Sequence, residues 1–128
     1  MELQRACVLA LKGATSVTDL VGLRIYDRVP EKVAYPYLAY EEEIILDDDD
    51  ECGEHWECTV NLHAWSTTVG SVEAKSICSA VTAALESISS VTGFRVGDVQ
   101  FLSQRILKDR DGVTTHGVVT FYFHISAT

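Results

Sequence analysis

The sequence predicts an α+β fold: one mostly antiparallel sheet of about four strands, two helices packed on it, and a long C-terminal hairpin. Three observations carry this. Apolar and polar residues alternate through Trp56–Trp65, and again near the C-terminus, where Val119, Phe121, Phe123 and Ile125 share one face. Segments 2–12 and 72–87 instead repeat their apolar residues at helical spacing. Asp109-Arg110-Asp111-Gly112 lies between two extended runs, and glycine's tolerance of positive φ makes it a strong hairpin signal. The 128 residues contain no internal repeat, linker or shift in composition, so a single domain over 1–128 is expected.

In chain order, Leu3, Ala6, Cys7, Ala10 and Leu11 mark one face of a first helix, which Gly13 should stop from the C′ position. Ser16 and Asp19 have the spacing of a capping box for a short turn through Leu20 and Val21, closed by Gly22. A short strand is expected from Arg24 to Val29, ended by Pro30. Pro36 favours an extended approach to the strand Tyr37–Leu46, in which Leu38, Tyr40, Ile44 and Leu46 share a face that Glu42 interrupts. A charged connection then leads to the strand 56–65, whose inward set is Trp56, Cys58, Val60, Leu62 and Ala64. The pair reads as antiparallel with a protruding loop. The helix 72–87 has Ile77, Ala80, Val81, Ala84, Leu85 and Ile88 as its buried stripe, and Ser89–Gly93 ends it. Extended segments Val99–Lys108 and Val113–Ile125 close the chain.

Nineteen acids against ten bases leave a net charge of −9. Nucleic-acid affinity comes mainly from lysine and arginine on phosphates, so a free-standing DNA-reading module is not expected. A DNA-mimicking inhibitor needs carboxylates spread over an extended face, whereas these acids are clustered. No apolar run approaches a membrane span, and no signal-peptide pattern opens the chain. Cys7, Cys52, Cys58 and Cys78 are widely spread and read as reduced thiols.

The residues offer little chemistry. Cys52, His55, Cys58 and His63 are suitable zinc ligands, but their spacings match no finger or knuckle and alternation sends His55 and Cys58 to opposite faces. Asp47-Asp48-Asp49-Asp50-Glu51 could attract calcium, yet an EF-hand register from Asp48 puts Cys52 and Thr59 where oxygen ligands belong. That run reads as a solvated loop. No nucleophile elbow or phosphate-binding glycine loop occurs, and Cys7 and Cys78 fall on core faces. His116 has no partner suggested by position. Asp27, Glu41, Glu43 and Asp98 could be imagined as paired carboxylates, as in any acidic domain. No enzyme and no cofactor are expected.

One further pattern runs through the chain. Gly22-Leu-Arg24-Ile25-Tyr26-Asp27-Arg-Val29-Pro30 with Ala34-Tyr35-Pro36-Tyr37, then His55–Ser66 (HWECTVNLHAWS), then Glu73-Ala74-Lys75, then Arg105–Asp109 and Asp111–Gly117, occur in that order. Together they resemble the tail completion, or tail terminator, family of long-tailed bacteriophages, a module also found in phage-derived gene transfer agents. The likeness runs from about residue 3 to residue 125. Its departure is the acidic stretch around Asp47 to Glu54.

The resemblance implies a structural virion protein. It would form a ring, typically a hexamer, at the head-proximal end of the tail tube, meeting the tube protein on one side and the head completion or connector protein on the other. DNA would pass through without sequence-specific binding. The expected contact residues are Asp47, Asp48, Asp49, Asp50 and Glu51 in the acidic loop, and Lys108, Asp109, Arg110 and Asp111 in the hairpin. A head-closure adaptor of the same particle is the neighbouring reading. A small prophage-encoded enzyme or ligand-binding domain is the alternative of another class, which a pocket with converging histidine and carboxylate groups would favour.

Overall fold

The computed structural model describes residues 2–128. Three helices and nine elements in all follow the order α1 (Leu3–Gly13), α2 (Thr15–Val21), β1 (Ile25–Tyr26), β2 (Tyr37–Asp47), β3 (His55–Ser66), α3 (Val72–Glu86), β4 (Ser90–Val91), β5 (Phe94–Lys108) and β6 (Thr115–Ala127) among the described residues. The sheet has six strands in the order β1-β2-β3-β6-β5-β4, antiparallel except where β1 runs parallel to β2. The expected α+β class holds, but four strands and two helices become six and three. β4 is a two-residue pairing too short to show a period, β1 is the two-residue remnant of the short strand expected from Arg24, and the turn expected before Gly22 is the seven-residue helix α2.

The core lies between the helices and one face of the sheet. Leu3, Cys7 and Leu11 of α1 and Val17 and Val21 of α2 are buried at four-residue intervals, each helix turning one stripe inward. From α3 the inward set includes Ile77, Cys78, Val81 and Leu85. They meet Cys58, Val60, Leu62 and Ala64 of β3 and Val119, Phe121, Phe123 and Ile125 of β6, as the alternation predicts. At Gly117 α3 packs tightly on the sheet: a Cβ there would lie 2.6 Å from Cys78 Sγ.

Several boundaries differ from expectation. Gly13 is the last residue of α1 rather than its stop; the break falls at Ala14, which is extended. The Ala14 carbonyl accepts from Val17 and Thr18 N–H, so backbone opens α2 and Ser16, inside the helix, makes no capping box with Asp19. Gly22 ends α2 at φ 61°, as expected. Only Ile25 and Tyr26 of the expected strand 24–29 pair. The last long antiparallel strand but one begins at Phe94, five residues before Val99, because β4 turns directly into it through Thr92-Gly93.

The largest difference is a β-bulge in β2. Tyr40 lies opposite Leu62 and Glu42 opposite Asn61, leaving Glu41 as an extra residue. Side-chain direction has a period of two, so one extra residue exchanges the faces beyond it. Ile45 consequently lies opposite Cys58, while Ile44 and Leu46 lie opposite Thr59 and Glu57. Ile44 and Leu46 therefore do not share a face with Leu38 and Tyr40. From Glu41 onward every residue of β2 is exposed.

Candidate assembly surface

The two segments expected to make contacts lie at opposite ends of the same strands. β3 pairs with β6 from His55↔Ser126 at one end to Ser66↔Thr115 at the other. The acidic connection, residues 48–54, leaves the first end, and the β5–β6 tip, residues 109–114, leaves the second. At a strand rise of 3.3 Å the ladder between them is about 36 Å long.

The acidic connection is anchored by its own side chains. Asp50 Oδ1 accepts from Cys52 N–H at 2.8 Å and meets His55 Nε2 at 3.0 Å, while Asp49 Oδ1 accepts from His55 N–H at 3.1 Å. These bonds, the Cys52 amide first, hold the Asp50 carboxyl below its usual range. Asp47 is raised, chiefly through a hydrogen bond shared with the Asp49 side chain. His55 stacks on His124, whose Nε2 lies 3.3 Å from Asp48 Oδ2. At the other end Asp111 organises the tip. Its carboxylate accepts from Thr114 Oγ1 at 2.6 Å and from the Thr114 and Val113 amides, which keeps it ionised to lower pH than usual. Gly112 has φ 71°, the conformation that the hairpin signal required. Lys108, Asp109, Arg110 and Asp111 are all exposed.

Among the described residues the sheet also has two long unpaired edges. β1 covers only Leu38 and Ala39 of β2, so β2 is open from Tyr40 to Asp47, where Glu41, Glu42, Glu43 and Asp47 surround Ile44, Ile45 and Leu46. β4 covers only Phe94 and Arg95 of β5, whose open stretch carries Phe101, Leu102, Arg105, Leu107 and Lys108. Both edges present exposed large apolar side chains: Ile44 is 57% exposed and Leu102 48%. They differ in charge, one strongly acidic and the other carrying Arg105 and Lys108 against the single carboxylate of Asp98.

The sheet face turned away from the helices holds a row of rings. Tyr35 and Tyr26 pack on Tyr37, Tyr37 on Trp65, and Trp65 on His116 at 3.7 Å between centroids. His116 has a partner after all. Its Nε2 lies 2.5 Å from Nδ1 of His63, whose Nε2 in turn meets the Glu42 carboxylate. Burial, and next the His63 charge, push His116 down to about 4. Alternation did place His63 outward, but the pairing of residues 53 positions apart needs the β3–β6 register.

The other candidates do not converge. Cys58 is buried beneath the helices and His63 lies on the opposite face, so the set Cys52, His55, Cys58 and His63 is dispersed. Burial raises the thiols of Cys7 to about 12 and of Cys58 and Cys78 to about 11, which makes them poor nucleophiles. A hollow beside α1, lined by Arg5, Leu9, Lys12 and Asp27 among others, contains no histidine or cysteine. Glu43 bonds the Tyr40 hydroxyl at 2.8 Å instead of facing Glu41.

In a gene transfer agent, "Virion of native gene transfer agent (GTA) particle", one chain is 22% identical and shares this fold at a TM-score of 0.85, over 98% of this chain and 95% of that one. No curated protein matches. The family described as "Tail completion protein gp17" matches residues 5–126, nearly the whole sheet and helix layer described above. The chain belongs to this tail completion family of phage tail structural proteins.

Proposed function

We propose that the protein is a tail terminator: identical copies, six in the full assembly, form a ring that caps the head-proximal end of the tail tube and joins it to the head connector. The observation that carries this reading is the pair of unpaired sheet edges. They are different surfaces of one protomer, unlike in charge and both bearing exposed apolar residues. A contact between unlike surfaces is heterologous, and repeating it produces a closed ring when the rotation closes. Strand edges make such contacts by extending a neighbour's sheet. Of the two projecting ends, Lys108–Asp111 is then available for a neighbouring protomer or the tube, while Asp47–Glu51 faces the channel or the rim. An acidic loop lining the channel repels phosphate and lets DNA pass without adhering. In this reading the protein is a non-enzymatic virion component at the head–tail interface, assembled in the host cytoplasm.

Electron microscopy of particles from a strain lacking the gene tests the assignment. Filled free heads beside headless tails of irregular length are expected. Emptied heads beside tails of normal length would instead indicate a head-closure adaptor, and intact particles would remove the assembly role.

A further inference from the structure

Three adjacent strands deliver one group of metal-ligating side chains to the open face of the sheet. His63 comes from β3, His116 from β6 and Glu41 from the bulge of β2. Their nearest ligand atoms, His63 Nδ1, His116 Nε2 and a Glu41 oxygen, lie within 4.8 Å of one another. The close pairs are His63 Nδ1 with His116 Nε2 at 2.5 Å and with Glu41 Oε2 at 3.1 Å.

The surroundings match a metal site in a second respect. An ionised carboxylate can only accept, so the Glu42 carboxylate on His63 Nε2 takes a hydrogen from that nitrogen. The ring's other nitrogen is thereby directed at His116 and Glu41. A carboxylate behind a ligating imidazole is the usual outer shell of a zinc-bound histidine, fixing its tautomer and raising its basicity. The bulge makes this possible: it brings two successive residues to one ring, Glu42 behind it and Glu41 in front. His63 is 7% exposed, and the Trp65 ring lies flat against His116 at 9°. Both imidazoles are held, whereas Glu41, exposed at the strand edge, can adjust.

We propose that Glu41, His63 and His116 bind one divalent transition-metal ion, zinc by preference, which clips β2, β3 and β6 together. Two imidazoles and a carboxylate are a zinc donor set, with ligand distances of about 2.0–2.2 Å. The ring nitrogens open to about 3.3 Å to accept a tetrahedral ion of that size. The hydrogen bridging them, on His116 Nε2, gives way to the ion and moves by way of solvent to Nδ1 of His116, which stays a neutral imidazole. A fourth position remains for water or another donor.

The experiment is a zinc titration of the full chain by calorimetry, with cobalt(II) as a spectroscopic probe and Cys52→Ser as background, since that exposed thiol is another possible ligand. One equivalent is expected to bind. Cobalt should give a d–d band without sulfur-to-metal charge transfer. Glu41→Gln should weaken binding, and Glu42→Gln should weaken it by about 10–100-fold, the usual cost of losing an outer-shell partner. Glu41 and Glu42 are exposed, so these variants test the site without removing buried side chains. Absence of stoichiometric binding, a cobalt spectrum dominated by thiolate, or unchanged affinity in Glu41→Gln and Glu42→Gln overturns the proposal.

Discussion

Replacing Gly117 by alanine probes the tight packing of α3 on the sheet at Cys78. The new Cβ would stand 2.6 Å from Cys78 Sγ, 3.4 Å from Ile106 Cδ1 and 3.7 Å from Ala64 Cβ. Only the first contact is forbidden, and Cys78 is fully buried on α3, so relief requires the helix to move or the thiol to leave its rotamer. Overpacking of one methyl group in a filled core costs about 1–3 kcal/mol. Removing glycine's freedom in the unfolded chain returns about 0.4–1 kcal/mol. A net loss of about 1–2 kcal/mol is therefore expected, which for a chain of this length lowers the melting temperature by about 4–7 °C. Cys78→Ala alone leaves a methyl-sized void costing about 1 kcal/mol. In the double variant the added Cβ occupies the space vacated by sulfur, so its loss should be smaller than the two single losses together by at least 0.5 kcal/mol or so. Urea denaturation followed by circular dichroism reads all three variants, provided m is unchanged. An unaffected Gly117→Ala, or a double variant whose loss equals the combined single losses, would refute the proposed contact.

Two other outcomes follow from the side-chain environments. At pH 8 in native buffer a chromogenic disulfide reagent should titrate one thiol per chain, Cys52, and all four in denaturant, because Cys7, Cys58 and Cys78 are buried with raised pKa; rapid reaction of a second native thiol would contradict the packing. Asp111→Ala removes the acceptor for Val113 N–H, Thr114 N–H and Thr114 Oγ1, so hydrogen exchange at those two amides should accelerate while the strand amides of β6 stay protected.

The parts of the fold legible in the sequence were those with a sustained period. β3, β6 and α3 each bury the residues that their spacing selects, and Gly112 marks the hairpin because its positive φ is a local requirement. The two-residue β4 offered no period to read, whereas β1 falls inside the short strand expected before Pro30. The bulge left a trace in Glu42, which broke the apolar face of β2, but an interrupted face does not say whether a residue is out of place or a strand is out of register. The backbone opening of α2 at Ala14 overrode a side-chain capping signal that was correctly spaced. As for surfaces, the exposure of the acidic loop and hairpin tip could be anticipated from charge and turn chemistry. The cluster of Glu41, His63 and His116 could not, since it depends jointly on the bulge and on the β3–β6 register.

The β3–β6 ladder also has a mechanical consequence. Its twelve residue pairs run from His55↔Ser126 to Ser66↔Thr115 without a shift in register, whereas β2–β3 is interrupted near Glu41 and β5–β6 twice, near Val96–Val99 and Phe101–Ser103. A pull between the acidic loop and the hairpin tip would load this uninterrupted ladder in shear, so that its hydrogen bonds resist together rather than opening one after another. The bulges confine the bends and added twist to the flanking strands, which leaves the β3–β6 spine as the unbroken path for tension between the two ends.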